Sequence, residues 1–298
     1  MTASGPGPTT IRRRIRFLLR QLRVDGGHSQ DDVCRVMRWS QSKMARIECG
    51  VTNIGVRDLR DLLQFYGVGE AEAAPLVELA RRALRPHWAA AYRDDVPAAY
   101  MDFLGLEDDA IRVSEYHPFV IPGLLQTEQY ARLLQAAGPR RRGGDAAAEA
   151  RVRLAMARQR RVFAQPRPGR VRVVLDEWAL TVVRSAQVML DQIELILSRL
   201  PEVDLVLLTR GTAADSVLVG PFSMHETGSE IDPDVVYVAS PPEDGALVED
   251  PEIVNGYTRA FDHSYRQAAS RADTRRILDA IAEPLRRARA ARAARSAP

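Results

Sequence analysis

Along the first third of the chain, hydrophobic positions recur at helical spacing. Ile11, Ile15, Leu18, Leu19 and Leu22 form one apolar stripe among arginines, which predicts an amphipathic helix ended by Gly26 and Gly27. Two short segments follow. In the first, Val33 and Met37 share a face, Ser29 is a candidate N-cap, and Asp32 stands at capping-box spacing. Arg38 and Trp39 then occupy a turn. Ser40 opens a second helix in which Met44 and Ile47 repeat the inward spacing, leaving Gln41, Ser42, Ala45 and Arg46 outside and Lys43 at the edge. Val56, Leu59, Leu62, Leu63 and Tyr66 predict a fourth helix stopped by Gly67, and Leu76, Leu79, Ala80 and Ala83 a fifth over about 71–85.

Beyond Pro86 the period changes repeatedly. Helices are predicted over Pro97–Ala110, at the end of Val120–Leu134 with Thr127 as N-cap, over Ala146–Phe163 and over Ser185–Leu200. Strands are predicted over Ile111–Tyr116, Val171–Leu175, Val203–Thr209, Val217–His225 and Val235–Val238, with a loop at Arg140–Gly144. Asp250 caps a helix with Pro251 in its first position, running towards Ser270. A last helix starts near Asp273 and is interrupted or ended by Pro284. The fold expectation is an all-α helix-turn-helix domain of four to five helices, then an α+β domain with a small sheet. The expected spans are a disordered tail over 1–10, the helical domain over 11–85, the α+β domain over 86–283, and an Arg/Ala-rich tail over 284–298.

Composition adds a charge asymmetry. The 298 residues carry a net charge of only +3, yet residues 1–70 carry +5, residues 71–283 carry −7, and the last fifteen carry +5. A basic head on an acidic body suits a nucleic-acid-binding module joined to something that is not one. Lys43, inside the second short helix, is the single lysine. No run reaches the ~18 apolar residues of a membrane span, and the amino terminus lacks the apolar core of a signal peptide. Cys34 and Cys49 are the only cysteines, and the expectation is a reduced, cytoplasmic protein.

The segment from His28 to Gly50 carries the functional signal. A recognition helix needs a small, polar outer face with hydrogen-bonding side chains in its first turns, because those residues reach base edges in the major groove. Gln41 and Ser42 are assigned to base edges, Arg46 and Lys43 to bases or phosphate, and Gln30 to phosphate; Ser40 is first a cap, a role compatible with phosphate contact. The arginines of the first helix suit phosphate contact or a solvated face equally. Ser29-Gln30, Ser40-Gln41-Ser42 and Ile47-Glu48-x-Gly50 resemble the helix-turn-helix of the lambda-repressor-like, or xenobiotic-response-element, regulators. LEDDA (Leu106–Ala110), PGLLQTEQYA (Pro122–Ala131), RVRLAMARQ (Arg151–Gln159), VVLDEWAL (Val173–Leu180), GPF (Gly220–Phe222) and DPDVVYV (Asp232–Val238) resemble a family of actinobacterial regulators. In that family a similar head precedes an antitoxin-like domain of unassigned chemistry. The segment Leu207–Leu218 departs from the family pattern, which puts any pocket it lines in doubt.

The body offers little recognisable chemistry. Asp176-Glu177 follows a strand, and adjacent strand residues face opposite ways, so a structural role is favoured over an acid/base pair. Tyr116, Gln126, Thr127 and Tyr130, with Asp176 and Glu177, are candidates for a ligand or partner pocket; the competing reading is a capped helix packed on the sheet. The five histidines have no metal or triad spacing, and no nucleotide fingerprint is present, so no cofactor, metal site or catalytic residue is assigned and no enzyme is expected. The tail arginines suit either added non-specific DNA affinity or an unstructured end. The expectation is a homodimeric, sequence-specific regulator binding double-stranded DNA. Its C-terminal domain senses a small-molecule effector or docks a small partner protein; the resemblance implies that such a partner is encoded by a neighbouring gene. The alternatives are an antitoxin-like interaction module and, behind it, a small-molecule-binding enzyme domain.

Overall fold

The computed structural model describes residues 5–137, 144–164, 167, 169–209, 220–229, 231–239 and 245–296. Two compact units result, one made of Met1–Ala90 with Gly228–Pro233, the other of Ala91–Thr227 with Asp234–Pro298.

The first unit is helical: α1 (Pro8–Asp25), α2 (Gln30–Met37), α3 (Gln41–Glu48), α4 (Val56–Phe65) and α5 (Glu70–Arg82). Its core gathers Ile11, Ile15 and Leu19 of α1, Val33 and Cys34 of α2, Met44 of α3, and Leu59, Leu62 and Leu63 of α4. The three α4 leucines are completely buried, each worth about 1.5–3 kcal/mol. Residues 8–10, expected within a disordered tail, form the first turn of α1 instead. Pro8 suits the opening position because its missing N–H has no partner there in any helix, and Thr9 and Thr10 are buried. Arg13 is buried too, and donates to Asp232 of the Gly228–Pro233 segment; Arg14 Nε reaches the same carboxylate at 3.4 Å.

The second unit is α+β. Its sheet comprises β1 (Arg112–His117), β2 (Val171–Asp176), β3 (Val203–Leu208), β4 (Phe222–Glu226), β5 (Val235–Val238) and β6 (Ala246–Val248) in the order β3-β2-β1-β4-β5-β6. The β1–β2 and β2–β3 pairs are parallel; the other three are antiparallel. Parallel neighbours need crossovers. These are supplied by α7 (Glu128–Ala137) with α8 (Gly144–Val162), and by α9 (Ala186–Arg199). One face, carrying Val113, Val173, Leu175, Leu205 and Leu207, packs on α9 and on α11 (Arg271–Ser296). Tyr116, Val174, Val206, Phe222 and Met224 on the other face meet Val254 and Phe261 of α10 (Pro251–Gln267). The remaining helix, α6 (Ala98–Glu107), lies against β5 and β6.

The structure also departs from expectation at β6 and at Pro284. Strand β6 has no predicted counterpart, being three residues long with none of them buried. The strand expected from Val217 is described only from Phe222, residues 217–219 lying outside the described residues together with most of the divergent 207–218 segment and with residues 140–143 of the expected loop. Pro284 neither interrupts nor ends the last helix: α11 continues through it to Ser296. A proline removes one backbone donor, but ion pairs beyond it hold the helix to α9, Arg286 with Glu194 and Arg289 with Asp191 and Glu194.

Candidate nucleic-acid interface

The two short helices of the head are fixed at their ends by the residues that the sequence marks. Ser29 Oγ accepts the Asp32 N–H at 3.1 Å while the Asp32 carboxylate accepts the Ser29 N–H at 3.0 Å, a complete capping box. The Ser29 hydroxyl also donates to the Asp32 carboxylate at 2.6 Å, and that bond, with the one from the Ser29 N–H, holds the Asp32 carboxyl below its ordinary range. Ser40 Oγ accepts the Lys43 N–H at 3.1 Å and caps α3. Met44 and Ile47 are buried, and burial raises the pKa of the Cys34 thiol on α2. Cys49, by contrast, is exposed.

With its inner face so anchored, α3 presents Gln41, Ser42 and Arg46 to solvent, whereas Lys43 is half-buried. Among the described residues, the Ser42 hydroxyl and the Arg46 guanidinium make no hydrogen bond or ion pair, so both are available to a ligand. Gln41 is lightly held, its Nε2 donating to Asp31 at 2.8 Å on the surface. Lys43 is more committed. Its Nζ donates to Asp58 at 2.7 Å and lies 4.1 Å from the Trp39 ring centre, a cation–π distance. Gln30 donates to Glu48 at 2.6 Å, so in the free protein its amide braces the far end of α3. Glu48 also accepts from Arg23, and that bond raises the arginine's pKa.

Sequence reasoning missed two kinds of residue here. Asp31, Asp58 and Glu48 hold Gln41, Lys43 and Gln30, and Arg23 in turn holds Glu48; pairs between different helices carry no short-range signal. Arg38 holds the turn between α2 and α3 in the left-handed conformation, φ 54° and ψ 41°. Its position between the two helices was legible; its backbone was not.

The six pocket candidates in the body do not form one cluster. Tyr116 and Asp176 share the α10 face of the sheet, with Tyr116 beside Val174 in register. Asp176 Oδ1 accepts the Trp178 N–H at 2.7 Å and caps the 3-10 turn Glu177–Leu180, while burial raises its pKa. Glu177 lies in that turn, half-buried, rather than on the strand. Tyr130 belongs to the core of the opposite face, next to Leu124 and Leu125. Gln126 Nε2 donates to the Ile121 carbonyl at 2.7 Å, Tyr130 Oη accepts the Ile121 N–H at 3.3 Å, and Thr127 Oγ1 accepts the Tyr130 N–H at 3.2 Å. The buried Gln192 accepts the Thr127 N–H and donates to the Leu125 carbonyl, and Gln159 donates to the Gly123 and Gln126 carbonyls. The PGLLQT segment is thus a turn clamped by two glutamines, with its polar groups used internally.

The body's densest polar chemistry lies elsewhere. Arg158 of α8 donates to Glu107 of α6 at 2.6–3.0 Å and to Glu115 of β1 at 2.6 Å, all three buried. His117 Nε2 lies 3.8 Å from the second Glu115 oxygen, and His225 Nε2 lies 3.9 Å from Glu107. Burial pushes the Glu107 carboxyl up against the opposing pull of Arg158, and lowers the His117 imidazole. Among the described residues no group of three or more His, Cys, Asp or Glu is placed to hold a metal ion, and no helix is long and apolar enough to cross a membrane.

Comparison with known proteins agrees with this division. A helix-turn-helix domain model matches residues 14–76, which contain α2, α3 and α4 complete. No curated protein and no solved structure matches the chain. A second model, described as a domain of unknown function (DUF5753), matches residues 100–280, more than half of the length. The chain therefore belongs to the DUF5753 family, and carries a helix-turn-helix domain ahead of the part that defines it.

Proposed function

We propose that the protein is a sequence-specific regulator that binds double-stranded DNA as a homodimer through α3, in the docking geometry of the lambda-repressor-like proteins. The observation that carries this reading is the capped, internally anchored α3 with Gln41, Ser42 and Arg46 exposed on its outer side. Gln41 suits adenine and Arg46 suits guanine or phosphate, each bidentate base contact being worth about 1–3 kcal/mol of discrimination. Lys43 joins them once it leaves Asp58, and Gln30 approaches phosphate from the amino end of α2. A two-fold dimer doubles the few contacts that one head provides.

Selection of bound sequences from a random duplex pool, followed by gel-shift titration, tests the reading. The selected sequences should contain two related half-sites about 10 base pairs apart or a multiple of that. Replacing Gln41 and Arg46 together by Ala should weaken binding about 30-fold or more. Undiminished binding by that double variant sinks the site assignment.

For the body we propose a controlling, non-enzymatic role in which it docks a small partner protein. Phe119 and Trp178 favour this over a small-molecule effector. They follow the parallel neighbours β1 and β2, and both are more than one-third exposed, which is unusual for large aromatic residues. Co-expression with the small protein of a neighbouring gene should give a complex on size exclusion, weakened by Trp178→Ala.

A further inference from the structure

Where the described chain needs a left-handed backbone it places glycine, at Gly27, Gly50, Gly67, Gly144, Gly169 and Gly228; Arg38 is the single exception among the described residues. Glycine adopts that conformation without steric cost, whereas a Cβ crowds the following carbonyl. The turn itself is ordinary: the Arg38 and Trp39 N–H groups both reach the Cys34 carbonyl and close α2. Nothing in that hydrogen-bonding requires a side chain.

The side chain is nevertheless a cation, and it is exposed. The cations that neighbour it in the chain, Arg35 and Lys43, are each tied to a carboxylate. Arg38 makes no side-chain hydrogen bond or ion pair among the described residues. Its Cα is three residues from that of Gln41, hence within about 11 Å of it. The exposed side chain is therefore rooted beside the amino end of α3, the end that enters the groove in that docking geometry. A backbone held in a costly conformation by a residue that gains nothing inside the protein points to a use outside it.

We propose that Arg38 is a DNA phosphate contact that positions α3 without reading sequence. The proposal rests on the DNA-binding reading above. The rival explanation is local: a cation at the carboxyl end of α2 complements the helix dipole.

R38G and R38K in the full chain, titrated with a labelled mixed-sequence duplex of about 30 base pairs over a range of salt, separate these roles. With a phosphate contact, R38G unfolds about 3–8 °C higher. It also binds about 3–10-fold more weakly, and the slope of log affinity against log salt is shallower by about 0.9 per protomer. R38K keeps the wild-type slope, because the charge is retained. An R38G variant with wild-type affinity and slope overturns the proposal. So does one that unfolds at a lower temperature with its slope unchanged, the outcome expected of a helix cap. If Q41A/R46A loses binding to the selected sequences while R38G does not, the DNA reading stands and the Arg38 role alone fails. If the wild-type chain binds no duplex, both fail.

Discussion

Arg23 grips Glu48 through two nitrogens, Nε at 2.6 Å from Oε1 and Nη2 at 3.1 Å from Oε2, and so ties the last turn of α1 to the last residue of α3. Nη1 of the same guanidinium holds the His28 carbonyl at 3.0 Å, just before α2. One side chain thus fixes three helices of the head around α3. The pair is little screened, with side-chain exposures of 13% and 8%. Glu48→Ala leaves Arg23 without its anion and Gln30 without its acceptor, and should cost about 2–4 kcal/mol in urea unfolding. Glu48→Gln keeps one acceptor and should cost about half as much. A loss below about 0.5 kcal/mol for the alanine variant would show that the fork does not hold the head together.

The Lys43–Asp58 pair has the opposite consequence. Here an internal carboxylate occupies a cation of α3 that the proposed DNA contact would otherwise use. Both side chains are more than one-third exposed or nearly so, 40% and 34%, so breaking the pair should barely change stability. Asp58→Asn removes a competing anion and frees the ammonium for phosphate. Duplex binding should tighten about three-fold and its salt slope steepen by about 0.9 per protomer. Weaker binding would mean that Asp58 aims the Lys43 chain at its target instead of restraining it.

These contrasts explain what was legible in the sequence. The head was readable because its signals are local: Ser29 and Asp32 are three residues apart, as are Ser40 and Lys43, and Met44 and Ile47 share one helix face. The restraining groups were not readable, because Arg23 meets Glu48 across 25 residues and Arg13 meets Asp232 across 219. In the body, Thr127 is recognisable as a helix cap, but Gln192, which clamps its N–H from 65 residues away, is one of several polar residues in an amphipathic helix and nothing local sets it apart. What the pocket candidates share in the sequence is polarity beside the predicted strands and the PGLLQT turn. Polarity does not say which face of the sheet a side chain serves, and Tyr116 and Tyr130 proved to serve opposite ones.

The buried Arg158 cluster offers a stability test independent of DNA. Two carboxylates from α6 and β1 depend on one guanidinium from α8. Removing only the cation leaves uncompensated charge in the interior, so Arg158→Met should cost about 3–5 kcal/mol in the unfolding of this unit. A triple variant that adds Glu107→Gln and Glu115→Gln removes the charges together and should recover most of that loss. If the single variant is as stable as the wild type, the cluster is solvated and the assignment of a buried network is wrong.

His117 gives the same region a pH dependence whose sign can be worked out. Burial holds its imidazole pKa below the ordinary value of 6.5, Arg158 pushes the same way, and the Glu115 carboxylate opposes them. Below pH 6.5 the unfolded chain therefore takes up the proton more readily than the folded one. Stability must fall as pH drops from 6.5 towards the folded-state pKa, with a slope of at most about 1.4 kcal/mol per pH unit for one proton. Above 6.5 this residue contributes no slope. Glu107, whose carboxyl burial pushes up from its ordinary 4.5, acts in the reverse sense, stability falling as pH rises from 4.5 towards its folded-state pKa. The two are separated by comparing the wild type with His117→Gln in urea titrations between about pH 5 and pH 8. The difference in stability between them should change below pH 6.5 and stay constant above it. A difference that is flat throughout would show that the imidazole titrates as freely in the folded protein as in the unfolded one.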